Sequence, residues 1–293
     1  MGILKQLEDK SLIRPPSFLV DNTLYACITG SHAYGCNDPD KSDYDIVGFC
    51  IPPKALVFPH QVGGEIEGFG KQKERFKQWQ QHHIKDGPKD YDLTIHSIVR
   101  FFHLCMENNP NMLDVLFSPR ELMVISTPIA EKVRFNRHLF LHKGSYHKFT
   151  GYCHSQISKL RTKTPDMGSK RKADFDKYGY CVKFASHALR LLEENKQILE
   201  EGDLDLRRSS ELLKAVRRGD WSLERVLAYV ARQEPILEQL YHSSKLPHSP
   251  DEDAIKALLV ECLEMHFGSL AAVQNNQHRD AEKLRQIQSI LEE

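Results

Sequence analysis

The stretch Leu24-Tyr25-Ala26-Cys27-Ile28-Thr29-Gly30-Ser31, followed twelve residues on by Asp43-Tyr44-Asp45-Ile46-Val47, decides how this chain folds. The first apolar run reads as a strand that leaves through Gly30-Ser31 into a turn and the start of a helix. A missing side chain at Gly30 lets a phosphate approach the backbone. Ser31 adds a hydroxyl donor, and the amides at a helix start favour an anion. The second run is again strand-like. Successive strand side chains alternate faces, so Asp43 and Asp45 point one way while Tyr44 and Ile46 point to the core. Paired carboxylates on one face suit hard, octahedral Mg²⁺. Two such ions, about 3.5–4 Å apart, can clamp the attacking and leaving oxygens of an in-line displacement. Taken alone, an Asp-x-Asp pair is equally a solvated strand edge. Its placement behind an apolar strand and a Gly-Ser turn favours the chemical reading.

Composition narrows the class. The 293 residues are enough for one large domain or two of ordinary size. With 40% hydrophobic and 27% charged residues the chain is that of a folded protein, not a disordered one. The 40 Lys and Arg balance the 40 Asp and Glu, so no global field announces a nucleic-acid or membrane partner, and any basic surface is local. The 7 cysteines are odd in number and contain no C-x-x-C pair, which points to reduced thiols rather than a disulfide framework. No signal peptide and no run of membrane-spanning length is visible. A cytoplasmic protein without a membrane partner is expected.

Along the chain, residues 24–28, 45–51, 91–95, 113–117 and 122–125 read as strands, and 97–107 as a helix stopped at Asn109-Pro110. Residues 63–89 form a basic, glutamine-rich stretch too long for a passive turn. From about Gly144 the texture is helical, with amphipathic segments at 145–160, 173–199, 209–216, 222–240 and 254–267 and a charged tail to Glu293. The expected architecture is an α/β (α+β) unit, a mixed sheet with flanking helices, over residues 1–140. An all-α domain over 141–293 follows and contributes to the cleft.

Ile28-Thr29-Gly30-Ser31 with Asp43-Tyr44-Asp45-Ile46 resembles the signature of nucleotidyltransferases of the DNA polymerase β superfamily. Thr29 stands where that signature usually carries an apolar residue. More narrowly, GSHAYG (30–35), SDYDIVG (42–48), the Asp92 strand, NPNMLDVLFSP (109–119) and KFASHALRLL (183–192) resemble the RNA-repair-associated, RlaP-type family, over roughly residues 20–250. The resemblance implies a third carboxylate on a later strand, serving as metal ligand and base. Asp92, flanked by Tyr91 and Leu93, has the expected context, with Asp90 and Asp114 in reserve. It also implies Mg²⁺ as a two-ion cofactor, with Mn²⁺ as a substitute, and an NTP substrate. The expected reaction moves a nucleoside monophosphate to a hydroxyl of RNA and releases pyrophosphate. A protein or small-molecule acceptor, or a silent nucleotide-binding module, is the alternative.

Lys183, His187 and Arg190 fall at i, i+4 and i+7 and form one stripe. On pattern alone this is a solvated helix face. The match to the family's helical motif supports a stripe that faces the cleft and neutralises triphosphate, Arg as a planar fork and Lys as a point charge. Two basic stretches, residues 71–89 with Phe76 and Trp79, and 159–172, are candidates for holding single-stranded nucleic acid, or are simply exposed loops. The scattered histidines lack cysteine partners at zinc spacing.

Overall fold

The structure, a computed structural model, describes residues 2–37, 43–58, 76–162 and 170–268. Five strands form one mixed sheet in the order β3-β4-β2-β1-β5. They are β1 (Thr23–Ile28), β2 (Tyr44–Cys50), β3 (Gln78–Asp86), β4 (Lys89–Ser97) and β5 (Met123–Ser126). Every neighbouring pair is antiparallel except β2 and β4, which run parallel with Asp45 opposite Asp92. The expected mixed sheet with flanking helices followed by helices is therefore what the chain forms.

Alternation divides the sheet's two faces. Ala26, Ile46, Leu93 and Ile95 pack under Leu4 and Leu7 of helix α1 (Ile3–Asp9), together with Ile13 and with Leu19 of the single-turn α2 (Leu19–Asn22). Tyr25, Cys27, Phe49 and Ile51 face the other way, into a core that Val57 of the single-turn α3 (Lys54–Val57) joins and that continues through α4 (Ile98–Met106), α5 (Pro110–Leu116) and the later helices. The last strand ends at Ser126, and helices lie on both sides of residue 140, α7 (Ser145–Thr162) being the first beyond it. This core runs across that point, from Phe49 and Phe101 to Leu189 and Leu199. All seven cysteines are buried free thiols. Among the described residues no helix is long and apolar enough to cross a membrane.

Three expectations need correction. Residues 113–116 belong to helix α5, with Phe117 as its C-cap, and not to a strand. Asn109 both ends α4's connection and caps α5, its side chain accepting from the amides of Asn111 (3.1 Å) and Met112 (3.4 Å), with Pro110 in the first turn. Thr127-Pro128 starts α6 (Pro128–Phe135), a helix not anticipated, in the same way. The single helix expected over 173–199 is two, α8 (Lys170–Tyr178) and α9 (Val182–Glu201), broken at Gly179, whose φ is +77°. Finally, much of the basic stretch before Lys89 is strand β3, and its aromatics are used internally. Phe76 meets Phe18 edge to face at 5.2 Å, and Trp79 packs on the α1-side core. Residues 71–75, 163–169 and the tail from 269 lie outside the described residues.

Candidate active site

Asp45 and Asp92 stand side by side because β2 and β4 are parallel and in register, on strands about 4.8 Å apart. Both therefore project from the face toward the later helices. Asp43, exposed, precedes β2. Burial raises the carboxyl of Asp45 above its ordinary 3.8, and the negative charges of Asp92 and Asp43 raise it further; Lys183 and His82 pull it back. Like charges are thus gathered, half-buried, beside one lysine.

The turn after β1 is built against Asp45. Gly30 opens a single 3₁₀ turn, Gly30–His32, with φ +63°, and a Cβ there would lie 2.5 Å from Asp45 Oδ2. Only glycine combines this left-handed backbone with that closeness to the carboxylate. The turn is shorter than the helix expected from the sequence. The backbone amide of Thr29 donates to the Asp45 carbonyl at 2.7 Å, and its hydroxyl to the same oxygen at 3.1 Å. A hydroxyl at position 29 is accommodated because the strand beside it supplies an acceptor. Ser31 lies in the same turn.

Asp92 is aimed by a bulge. Gln81 pairs with Leu93 and Ile84 with Tyr91, so His82 and His83 together oppose Asp92. His83 takes φ +56°, and its amide donates to Asp92 Oδ1 at 2.8 Å; His82 Nδ1 is 3.4 Å from Oδ2. His83, Asp90 and Asp92 bring ligand atoms within 4.8 Å of one another, and Asp90 Oδ1 is buried without a hydrogen-bond partner. The bulge, and with it His82 and His83, has no signature in strand periodicity. Only the positive-φ histidine marks it.

The expected stripe on α9 divides into three environments. Lys183 is exposed in the first turn, close enough for its charge to act on Asp45. His187 is half-buried. Burial pushes its ring down to about 3, helped by the positive charges of Arg190, Lys183, Arg217 and Lys159. It is a neutral imidazole among cations from α7, α9 and α10 (Ser210–Arg217). Arg190 is not on an open face: it is 5% exposed, and its Nη1 donates to Asp114 Oδ2 at 2.6 Å and to Glu194 at 2.8 Å. Asp114 is likewise buried in this network, remote from the metal-ligand role held in reserve for it. Residues 188–192 are all buried, so the amphipathic pattern ends where α9 passes through the core. Lys159, at the start of the basic stretch 159–172, and Arg217 carry no local signal for this site. Their helices, far apart in sequence, both pack on α9.

Among the described residues the ligand atoms that converge are those of His83, Asp90 and Asp92, with Asp45 facing Asp92 across the strand pair. The hard carboxylate oxygens, one of them orphaned, fit an oxygen-ligated divalent ion, and Lys183 beside them fits its phosphate partner. An uncharacterized 38.9 kDa protein in the nrdC-mobD intergenic region of Enterobacteria phage T4 is 28% identical over 144 residues, which is 48% of this chain and 40% of that protein. The chain thus matches less than half the length of that relative. A nucleotidyltransferase-like protein from Exiguobacterium sibiricum 255-15 aligns over 82% of this chain and 73% of its own, at 10% identity and a TM-score of 0.30, too loose for any argument. The model of the RNA repair pathway DNA polymerase beta family matches residues 3–261, nearly the whole chain, and the protein belongs to that family, RlaP.

Proposed function

We propose that the protein is a metal-dependent nucleotidyltransferase that moves a nucleoside monophosphate from an NTP to a hydroxyl of RNA, releasing pyrophosphate. The observation that carries this reading is the in-register pairing of Asp45 with Asp92 directly against Gly30. Asp43, Asp45 and Asp92 would hold one Mg²⁺ ion or a pair, with Mn²⁺ as a substitute, which when bound supplies neutralisation of phosphate charge and a more acidic attacking hydroxyl.

The chain's own residues do the rest. Gly30 lets the turn close directly on Asp45, and Ser31 carries a hydroxyl in the same turn. Lys183 supplies a point charge next to the acids, and Lys159 and Arg217 extend the positive field around His187. Neutral His187 can donate or accept one hydrogen bond without adding charge. The bulge holds Asp92 Oδ1 through the His83 amide, and Oδ2, beside His82, would take the acceptor's proton. Most of the rate would come from positioning and fixed charge, as in other phosphoryl chemistry.

Family membership in an RNA repair pathway supports RNA as the acceptor. The test is incubation with each of four α-labelled NTPs, Mg²⁺ and cellular RNA or protein. Label on RNA is expected. Label on protein or on a small molecule would replace the acceptor, and no label with any NTP would leave only nucleotide binding.

A further inference from the structure

The turn that carries Gly30 and Ser31 does not stand on the sheet alone. Tyr34, at its far side, is 5% exposed and donates its hydroxyl to Asp114 Oδ2 at 2.6 Å. The same oxygen receives Arg190 Nη1 at 2.6 Å, and that nitrogen also reaches both oxygens of Glu194, at 3.1 and 2.8 Å. The guanidinium lies over the Tyr34 ring, 4.6 Å from its centre. Two residues on, the Cys36 carbonyl accepts from Arg217 Nη1 at 3.2 Å. A side chain on Gly35 would touch Ser210 and Arg207. The turn is thus gripped from α5, α9 and α10 at once.

Such a network is an expensive way to fasten a surface turn. One arginine is buried with two carboxyls, and desolvation opposes each of those charges. Apolar residues of the same size would hold α5 to α9 at less cost. What they could not do is fix the Tyr34 hydroxyl in direction, because a hydrogen bond is directional and apolar contact is not.

Resting on the nucleotidyl-transfer reading, we infer that Arg190, Asp114 and Glu194 are positioning residues which, through the Tyr34 hydroxyl, set the Gly30–Cys36 turn in its nucleotide-binding geometry. Arg190 then serves the nucleotide from behind the turn, without touching a phosphate. The later helices and the phosphate-contacting backbone become one mechanical unit.

Tyr34→Phe removes one hydroxyl and keeps the ring. The amides of Tyr34, Gly35 and Cys36, bonded to Gly30, His32 and Ser31 carbonyls, report the turn by hydrogen exchange. Their exchange is expected to quicken by about tenfold, the scale of one hydrogen bond to a charged group, while β2 amides are unchanged. NTP affinity should weaken by about the same factor, and the melting temperature should fall by only a few degrees, since the same bond is lost on global unfolding. Arg190→Lys, which keeps the charge but loses the planar fork, should show the same loosening if it folds. Unchanged turn exchange in Tyr34→Phe overturns the inference. So does a loosened turn that binds NTP as tightly as the unaltered protein. Absence of NTP binding by the unaltered protein would defeat the functional reading instead, and the exchange comparison would still decide whether the network holds the turn.

Discussion

Gly30→Ala puts the contact between turn and carboxylate to a quantitative test. The residue sits at φ +63°, where an alanine costs about 1–2 kcal/mol from its own Cβ. The new Cβ would also stand 2.5 Å from Asp45 Oδ2 and 3.5 Å from Asp45 Cγ, so the carboxylate or the turn must give way. Overpacking of this kind costs about 1–3 kcal/mol, for a total of about 2–5 kcal/mol. The two parts separate in a double-mutant cycle. In an Asp45→Ala background the carboxylate is gone and the Asp45 Cβ, at 3.8 Å, is an ordinary neighbour, so only the backbone part remains. Urea unfolding of the four metal-free proteins should give a coupling of about 1–3 kcal/mol. A coupling below about 0.5 kcal/mol would refute the claim that this turn is shaped around Asp45.

Other outcomes follow from the same geometry. Lys183→Ala, at an exposed position, should leave stability within about 0.5 kcal/mol but weaken NTP binding by about 1–3 kcal/mol; Arg190→Ala should cost about 3–5 kcal/mol of stability by stranding two buried carboxyls, and denaturant titration beside NTP titration separates the two. His187, held down to about 3 against an ordinary 6.5, binds its proton more readily in the unfolded chain. Stability should therefore fall as pH drops from 6.5 toward about 3, and His187→Asn should flatten that fall in pH-dependent unfolding. Asp45 has the opposite sign. Its carboxyl is raised above 3.8, so its stabilising influence is present below that value and is lost as pH rises through the raised one. Asp45→Asn should accordingly be as stable as the unaltered protein or slightly more so at neutral pH, yet lose the rise in melting temperature that Mg²⁺ and NTP together produce. Binding of single-stranded RNA should weaken steeply between about 50 and 200 mM salt, and an affinity indifferent to salt would remove RNA as the acceptor.

Local chemistry made the strand–turn–strand unit legible. Alternation put Asp43 and Asp45 on one face, and the glycine marked the turn. The length of the turn was less visible, since a single 3₁₀ turn and a helix start share the same first residues. Asn109-Pro110 and Thr127-Pro128 carry cap-plus-proline signals as strong as any in the chain. Asn109-Pro110 both stops one helix and starts the next, so the strand-like composition of Leu113–Phe117 masks α5. Asp92 owes its place to a parallel pairing that no local pattern specifies. The stripe on α9 failed as a unit for a similar reason: spacing shows which residues share a face, while its surroundings decide that Lys183 meets the acids and Arg190 meets Asp114 and Glu194.

Nucleotidyl transfer at the paired carboxylates is tested most directly by giving the protein, Mg²⁺ and RNA one NTP labelled separately at its α- and γ-phosphates, with Asp45→Asn in parallel. The α-label is expected on RNA and the γ-label only in released pyrophosphate, with neither transferred by Asp45→Asn. Transfer of the γ-label to RNA, transfer of neither label by the unaltered protein, or full α-transfer by a folded Asp45→Asn protein would contradict the account.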